Sequence, residues 1–431
     1  MLNLRSIQQM VIDPGTKGLP LGVGTMRLGE IAQAGWRLHT DLQLPAAVLR
    51  RSAIDNNSDW MQRFSNHFGV ALCPHGKTTM APQIFDRQLR EGAWGLSCAT
   101  ITHLRLYRRF GVQRLIYANQ IVSPAAARWL AGELANDPAF QAYVFVDSVY
   151  GADLLADAAE AAGLDRPITV LIEIGVDGGR TGVRGLDAAL RLGRYVAAKR
   201  GLSLAGIATF EGIVAGRTDF EMEPYVEALL ADTVRAAEVL AFEKLFDPSH
   251  PVILSAGGSR FFDIVALRLK AADVGSEPLV ILRSGCYISH DAHHYEVAFQ
   301  RLLERTGTAG IDGRLKNALE VWAEIQSWPE PGWMFATIGK RDISYDADLP
   351  SVILGRPRQT GTIEAVAPGA LEVKKLSDQH AHIVVHEPVP LAIGDQIGFG
   401  VSHPCTTFDK WRTIFEVDDD GIVIDAIATF F

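Results

Sequence analysis

The stretch "YVFVDSVYGADLLADAAEAAGLDRPITVLIEIG", residues 143–175, contains two short apolar runs on either side of an Ala- and Leu-rich segment. The runs have the length and the β-branched and aromatic residues of strands, and the segment between them has apolar residues at helical spacing. Two strands connected through a helix form a unit whose strands are parallel. The stretch therefore predicts a parallel sheet covered by helices.

The same alternation extends in both directions, from about residue 68 to about residue 285. The strand-like runs number eight: "VALCP", "WGLSC", "RLIYA", "YVFVD", "TVLIEIG", "LAGIATF", "VILS" and "LVILR". Parallel strands that are buried on both faces read as continuous apolar runs, and eight strand-helix units in one block favour a (β/α)₈ barrel of the TIM type. A doubly wound sheet is the alternative.

The pattern of the sequence changes near residue 330. Short strand-like runs such as "GWMFATI", "SVILG" and "AHIVVHE" follow one another between Pro and Gly residues, without helices of useful length between them. This spacing is typical of a small antiparallel β-domain. We therefore expect an N-terminal extension at 1–45 associated with the β-domain, a barrel at 46–325, and a C-terminal antiparallel β-domain at 326–431.

Composition and charge exclude several classes of function. The chain has 431 residues and a net charge of −9, from 41 basic and 50 acidic residues, and no long basic block, so we expect no nucleic-acid partner. The apolar runs are shorter than the roughly 18 residues of a membrane span, and no export signal is visible. The four cysteines are widely scattered. We therefore expect a soluble, cytoplasmic protein without disulfides or membrane contact.

The barrel hypothesis directs attention to the residues that follow each strand, where catalytic groups of such barrels lie. "PHGKTT" places His75 and Lys77 directly after the first run. Taken alone, Lys77 is most simply a solvated surface lysine. "ILSAGGSRFFD" places Ser255, Gly257 and Gly258 between the seventh run and a helix, where backbone N–H groups form either a phosphate cradle or an ordinary tight turn.

Three further candidates follow from the same reasoning. Arg180, after the fifth run, could bind an oxygen of a cofactor, or belong to a charged surface loop. Tyr287, after the eighth run, lies on the same predicted rim as Arg283 and Gly285, or is a half-buried tyrosine at the end of a strand. In the β-domain, His403 and Cys405 are two residues apart, a pair suited to Zn²⁺. Catalytic zinc sites usually have three protein ligands, so the spacing alone favours the alternative, a buried Cys beside a surface His.

Four segments together resemble the fold-type III pyridoxal-phosphate enzymes, in particular the group of D-serine dehydratase, D-threonine aldolase and D-threo-3-hydroxyaspartate dehydratase. They are "PHGKTTMAP", "EIGVDGGRTGV", "LRSGCYISHD" and "SHPCTTFDKW". The resemblance spans roughly residues 40–415 and implies an alanine-racemase-like barrel with a β-domain, assembled as a homodimer. The combination of the four segments is much more specific than any one of them.

The resemblance also implies roles for individual residues. Lys77 would bond pyridoxal 5'-phosphate covalently, with His75 beside it, and Arg180 would lie near the phenolic oxygen of the cofactor. The turn with Ser255, Gly257 and Gly258 would hold the phosphate and Tyr287 would line the site. A Zn²⁺ ion would be bound by His403 and Cys405.

The sequence departs from the family pattern at three places. Gly175 stands where the family commonly has Asp, and Ser284 replaces a frequent Pro. Glu211, in "TFEGIVAG", lies near a position where relatives often have a histidine. These departures affect the choice of substrate more than the choice of cofactor.

The resemblance implies a lyase that eliminates water from a D-3-hydroxy amino acid, with D-serine converted to pyruvate and ammonia. A metal-dependent D-threonine aldolase is an alternative, but there the second metal ligand is typically a carboxylate, and here it would be Cys405. An amino-acid racemase would not need the metal pair. A non-catalytic carrier of pyridoxal phosphate is the alternative of another class, and it would have little use for the β-domain.

Overall fold

The N-terminal segment contacts both of the larger parts of the protein in this computed structural model, which describes residues 1–213, 218–306 and 311–431. Lys17 forms an ion pair with Asp342 of the β-domain at 2.8 Å, whereas the amide of Asn3 donates to the carbonyl of Phe110 on the barrel. The helix and strands of the N-terminal segment are short: helix α1 (Arg5–Gln8) and strands β1 (Val11–Ile12) and β2 (Met26–Arg27). A longer strand, β3 (Ala46–Arg50), follows.

Parallel strands form a closed barrel in the next part of the chain. Among the described residues they number eight: β4 (Ala71–Leu72), β5 (Leu96–Cys98), β6 (Arg114–Gln120), β7 (Gln141–Val146), β8 (Ile168–Ile174), β9 (Leu202–Thr209), β10 (Ile253–Ala256) and β11 (Leu279–Leu282). Each strand from β5 to β11 pairs with the next one, β11 pairs with β4, and a bridge between His75 and Ser97 closes the ring. The predicted barrel is thus confirmed, and each of the predicted runs overlaps one of its strands.

Helices cover the outside of the barrel. They are α2 (Arg51–Phe68), α3 (Pro82–Arg90), α4 (Ile101–Phe110), α5 (Pro124–Asn136), α6 (Val149–Ala161), α7 (Gly185–Ala198), α8 (Asp219–Phe242), α9 (Phe262–Lys270) and α10 (His294–Thr306). Hydroxyl side chains of Thr100, Ser123 and Ser148 accept backbone N–H groups at the starts of α4, α5 and α6, as N-caps do. The described helices include none that is long and apolar enough to span a bilayer.

The C-terminal part of the chain forms a second sheet. Its strands are β12 (Leu319–Glu330), β13 (Trp333–Ala336), β14 (Ser351–Arg356), β15 (Glu364–Ala365), β16 (Leu371–Leu376), β17 (Ala381–Val385), β18 (Gln396–Gly400), β19 (Thr413–Val417) and β20 (Val423–Ala428), with a short helix α11 (Cys405–Phe408). The pairs are antiparallel except for β3 with β19, which is parallel. Strand β3 and the start of β12 belong to this sheet although they lie within 46–325, the range that the sequence analysis assigned to the barrel.

Gly206 marks the tightest contact between two barrel strands. A Cβ atom added there would lie 1.9 Å from the carbonyl oxygen of Ile253 on β10. Backbone on both sides cannot move without breaking strand pairs, so only glycine fits.

We expect Gly206→Ala to lower the free energy of unfolding by at least ~2 kcal/mol because overpacking a barrel strand displaces its neighbour. Urea denaturation measures this change. Gly132→Ala is the matched control, since a Cβ atom at Gly132 in helix α5 would meet nothing within 4 Å, and it should leave stability equal or raise it by up to ~1 kcal/mol. Equal effects of the two substitutions would contradict the packing argument.

Candidate functional site

Lys77 lies in a pocket where the carboxyl ends of the barrel strands meet the β-domain. It follows strand β4 in a single 3₁₀ turn, Gly76–Thr78, and its side chain is exposed to the pocket. A Cβ atom at Gly76 would lie 2.2 Å from the hydroxyl oxygen of Tyr107, so the turn packs directly against helix α4. The lysine is therefore held at the mouth of the barrel by backbone that has little room to move.

His75 lies beside Lys77 and takes part in the closure of the barrel. Its Nδ1 atom is buried, with no hydrogen-bond partner among the described residues. Burial, and secondly the charge of Lys77, hold the pKa of His75 well below its ordinary value. The imidazole is thus neutral, and it has one buried nitrogen without a partner in a residue that lines the pocket.

The glycine turn after β10 binds an anion in this structure. The amide of Gly257 donates to the Glu211 carboxylate at 3.1 Å, and the amide of Gly258 donates to the other oxygen of the same carboxylate. Glu211 is only 1% exposed. Gly257 has φ +91°, and a Cβ atom there would lie 2.9 Å from Leu282, so the turn needs glycine. The turn therefore has the donors that a phosphate group requires, and a glutamate occupies them.

Ser255 is part of the barrel wall and does not line the pocket. It is fully buried in strand β10, where its hydroxyl donates to the carbonyl of Ile281 and accepts from the guanidinium of Arg283 at 2.7 Å. The hydroxyl of Ser255 is therefore occupied within the barrel, and the predicted phosphate site is left to the backbone of the turn that follows it.

Two of the three departures from the family pattern, Gly175 and Ser284, have structural explanations. A Cβ atom at Gly175 would lie 2.2 Å from the carbonyl oxygen of Thr181, because the following loop folds back onto the end of β8. Ser284 is fully buried and its hydroxyl donates to the carbonyl of Gly258. Gly175 therefore allows the loop to pack closely, and Ser284 attaches the glycine turn to the end of β11.

Arg180 is brought into the pocket by the loop that folds back after β8. It is exposed, and its guanidinium lies 5.2 Å from the ring centre of Phe210. With Lys77 and the buried Arg283, it gives the pocket three cationic side chains. Such a pocket suits a ligand with a phosphate or carboxylate group.

Tyr287 lies outside the pocket, and its predicted place there is corrected. Its side chain is buried on the other side of the 3₁₀ turn Cys286–Ile288, where its hydroxyl accepts a hydrogen bond from Gln88 at 3.2 Å. Tyr295, from helix α10, lines the pocket instead. The strand-end rule did not find Tyr295, because this residue follows no strand.

The β-domain contributes His403 and Cys405 to the pocket. The Nδ1 atom of His403 is 2.6 Å from a carboxylate oxygen of Asp346, an arrangement that orients a histidine whose other nitrogen binds a metal. The Cys405 sulfur lies 3.6 Å from the Thr78 hydroxyl oxygen and 3.6 Å from the sulfur of Cys286. The sequence analysis missed Cys286, although it directly follows the rim residue Gly285.

A second group of possible metal ligands lies near His403. Within the described residues, His293, His294 and Asp348 have ligand atoms all within 4.8 Å of one another. Asp348 lies 3.3 Å from His293 Nδ1 and 2.9 Å from His294 Nε2, and the three side chains are about one third to one half exposed. At these distances each histidine forms an ion pair with Asp348 when that histidine is protonated.

The residues present fit pyridoxal phosphate and a metal ion. A lysine amine, an unsatisfied histidine nitrogen and an anion-binding glycine turn surround one cavity, which is the donor set for a phosphorylated aldehyde. A thiol and a carboxylate-bound imidazole on the opposite wall are suited to zinc.

Comparisons with known proteins agree with the architecture. Residues 49–262 match the alanine racemase N-terminal domain, and residues 318–417 match the serine dehydratase domain. D-threonine aldolase from Arthrobacter sp is 27% identical over 387 residues, 88% of this chain and 90% of that protein. D-threo-3-hydroxyaspartate dehydratase from Delftia sp. (strain HT23) is 29% identical over 400 residues, 89% and 96% of the two chains. The crystal structure of D-threonine aldolase from Filomicrobium marinum superposes with a TM-score of 0.71 at 24% identity, covering 96% of this chain and 98% of that one.

We expect Glu211→Gln to bind pyridoxal phosphate about tenfold more tightly than the unchanged protein, because a neutral amide competes less well than a carboxylate for the amides of Gly257 and Gly258. Equilibrium titration followed by cofactor absorbance measures the dissociation constant without any substrate. Glu160→Gln on the exposed side of α6 is the control, with no expected change. Weaker binding by the Glu211 variant would show that the carboxylate supports the cofactor site instead of competing with the phosphate.

Proposed function

We propose that this chain, a member of the fold-type III pyridoxal-phosphate enzymes, is a metal-dependent lyase of D-3-hydroxy amino acids that converts D-serine to pyruvate and ammonia. One observation carries the proposal: a lysine of the barrel and a His-x-Cys pair of the β-domain line the same pocket. A lyase of this kind needs a group that removes the proton from Cα and a group that stabilises the departing hydroxide, and it needs them on the same substrate molecule.

Lys77 is the residue that we assign to the cofactor and to the proton at Cα. When bound, pyridoxal phosphate withdraws electrons from Cα and so stabilises the negative charge that develops there. The Nζ atom of Lys77 lies in the pocket on a flexible side chain, whereas burial holds the pKa of His75 well below its ordinary value and makes it a weak base. Once free of the cofactor, Nζ would accept the Cα proton.

The glycine turn and its neighbours would position the cofactor. The amides of Gly257 and Gly258 would hold the phosphate after Glu211 moves away, and Ser284 keeps the turn attached to β11. Arg180 would donate to an anionic oxygen of the cofactor, since it lines the same pocket. These residues would hold the cofactor in one orientation and so determine which bond at Cα reacts.

His403 and Cys405 would hold a Zn²⁺ ion, whose positive charge would assist the departure of the β-hydroxyl group. Asp346 accepts from the Nδ1 side of His403 and leaves Nε2 for the metal. The thiolate of Cys405 supports zinc over harder cations such as Mg²⁺. Both an aldolase and a dehydratase are among the relatives, and the thiolate is the feature that favours dehydration here.

We expect the protein loaded with pyridoxal phosphate and Zn²⁺ to release pyruvate and ammonia from D-serine in equal amounts. A chelator should abolish the release and added Zn²⁺ should restore it. Lys77→Ala should lower kcat by at least about 10³-fold and remove the visible absorption of the bound cofactor, since both depend on the amine. Lys199→Ala, which removes a surface lysine paired with Asp153, is the matched control.

Two outcomes would contradict the proposal. Glycine and acetaldehyde from D-threonine, without ammonia from D-serine, would identify an aldolase. Cofactor binding without turnover of D-serine, D-threonine or 3-hydroxyaspartate, even with Zn²⁺ present, would identify a carrier.

A further inference from the structure

Two thiols from different domains face each other on the wall of the pocket. Cys286 begins the 3₁₀ turn after β11, and Cys405 begins helix α11 of the β-domain. Their sulfur atoms are 3.6 Å apart, and each lies 3.6 Å from the hydroxyl oxygen of Thr78. Cys286 is buried at 5% exposure, and it lines the same pocket as His403. The proposed function uses Cys405 but leaves Cys286 without a role.

The distance between the two sulfurs matches that of a pair of thiolates on one zinc ion. Zn–S bonds of about 2.3 Å at a tetrahedral angle place two sulfurs about 3.8 Å apart. A disulfide would require the sulfurs to approach to about 2.05 Å. The pair therefore needs almost no movement to bind a metal and a much larger one to form a disulfide.

We propose that Cys286 is a third protein ligand of the metal held by His403 and Cys405, which makes the site Cys₂His. The inference rests on the proposed function only in assuming that His403 and Cys405 bind the metal. Three protein ligands leave one tetrahedral position for a substrate oxygen, as in catalytic zinc sites. Two thiolates and a neutral imidazole also neutralise the charge of Zn²⁺, and binding releases the two thiol protons to solvent.

His403 has to move for the three ligands to bind together. As placed, a ring nitrogen of His403 and the two sulfurs are not all within 4.8 Å of one another, the spacing that His293, His294 and Asp348 satisfy among the described residues. The ring has a side-chain contact at Nδ1 with Asp346, and the proposal requires it to turn about its side-chain bonds so that Nε2 comes within bonding distance of the metal. The group of His293, His294 and Asp348 is the alternative metal site, and its ligand atoms include no sulfur.

Cobalt substitution distinguishes the two positions without any substrate. The full chain is stripped with a chelator, reduced, and titrated with Co²⁺, whose bonds to thiolates absorb in the near ultraviolet in proportion to their number. We expect Cys286→Ser to lose about half of this absorption and to bind Zn²⁺ more than about 100-fold more weakly, a larger loss than removal of a residue that merely orients a ligand. Cys405→Ser should lose a similar part of the absorption.

Two controls separate ligation from general damage. Cys98→Ser removes a buried thiol of strand β5 that does not line the pocket, and it should leave the absorption unchanged. His294→Ala should also leave it unchanged. Full absorption and full zinc affinity in Cys286→Ser, or loss of both in His294→Ala, would overturn the proposal.

X-ray absorption of the zinc-loaded, unsubstituted protein tests the same inference if the Cys286 variant fails to fold. Two sulfur neighbours per zinc at about 2.3 Å are expected, and one sulfur would overturn the assignment. Since neither measurement depends on turnover, an inactive protein with two sulfur ligands would reject the proposed reaction and leave the Cys₂His site standing.

Discussion

The buried guanidinium of Arg283 connects the strand ends on which the pocket is built. Its Nη2 atom donates to the carbonyl of Thr209 at the end of β9, and its Nη1 atom donates to Ser255 on β10. Its own carbonyl accepts the amide of His75, just after β4, at 3.2 Å. One residue at the end of β11 thus joins the ends of three other strands, and it carries a charge that is 4% exposed.

Such a charge is stable only because the pocket compensates it. Burial lowers the pKa of Arg283, and the nearby carboxylates of Glu211 and Glu173 act in the opposite direction. Glu211 accepts the amides of the glycine turn, and Glu173 accepts from Gln120. The charge that holds the strand ends together therefore also places a carboxylate on the turn. A phosphate bound there would replace one anion by another and keep the guanidinium compensated.

The β-domain completes the pocket. The position of this domain depends on its contacts with the residues that follow Lys77. The amide of Phe430 donates to the carbonyl of Met80 at 3.0 Å, and Cys405 approaches Thr78. Strand β3, which leads directly into the first barrel helix, pairs with β12 and β19 of the second sheet. Because β3 belongs to the second sheet and continues directly into helix α2 of the barrel, it connects the two domains, and His403 and Cys405 of one domain line the same pocket as Lys77 of the other.

The sequence by itself determined the barrel, the second β-domain, and the strand ends where Lys77, Arg180 and the glycines lie. These features depend on local patterns, since apolar runs, helical spacing and glycine at a left-handed turn act within a few residues of the chain. Only the tertiary structure decided that Ser255 and Tyr287 turn away from the pocket, that Glu211 caps the turn, and that Cys286 meets Cys405 across 119 residues. The physical reason is that side-chain direction at a strand end and contact between distant segments depend on how the barrel closes and how the second sheet docks, and no local pattern contains that information.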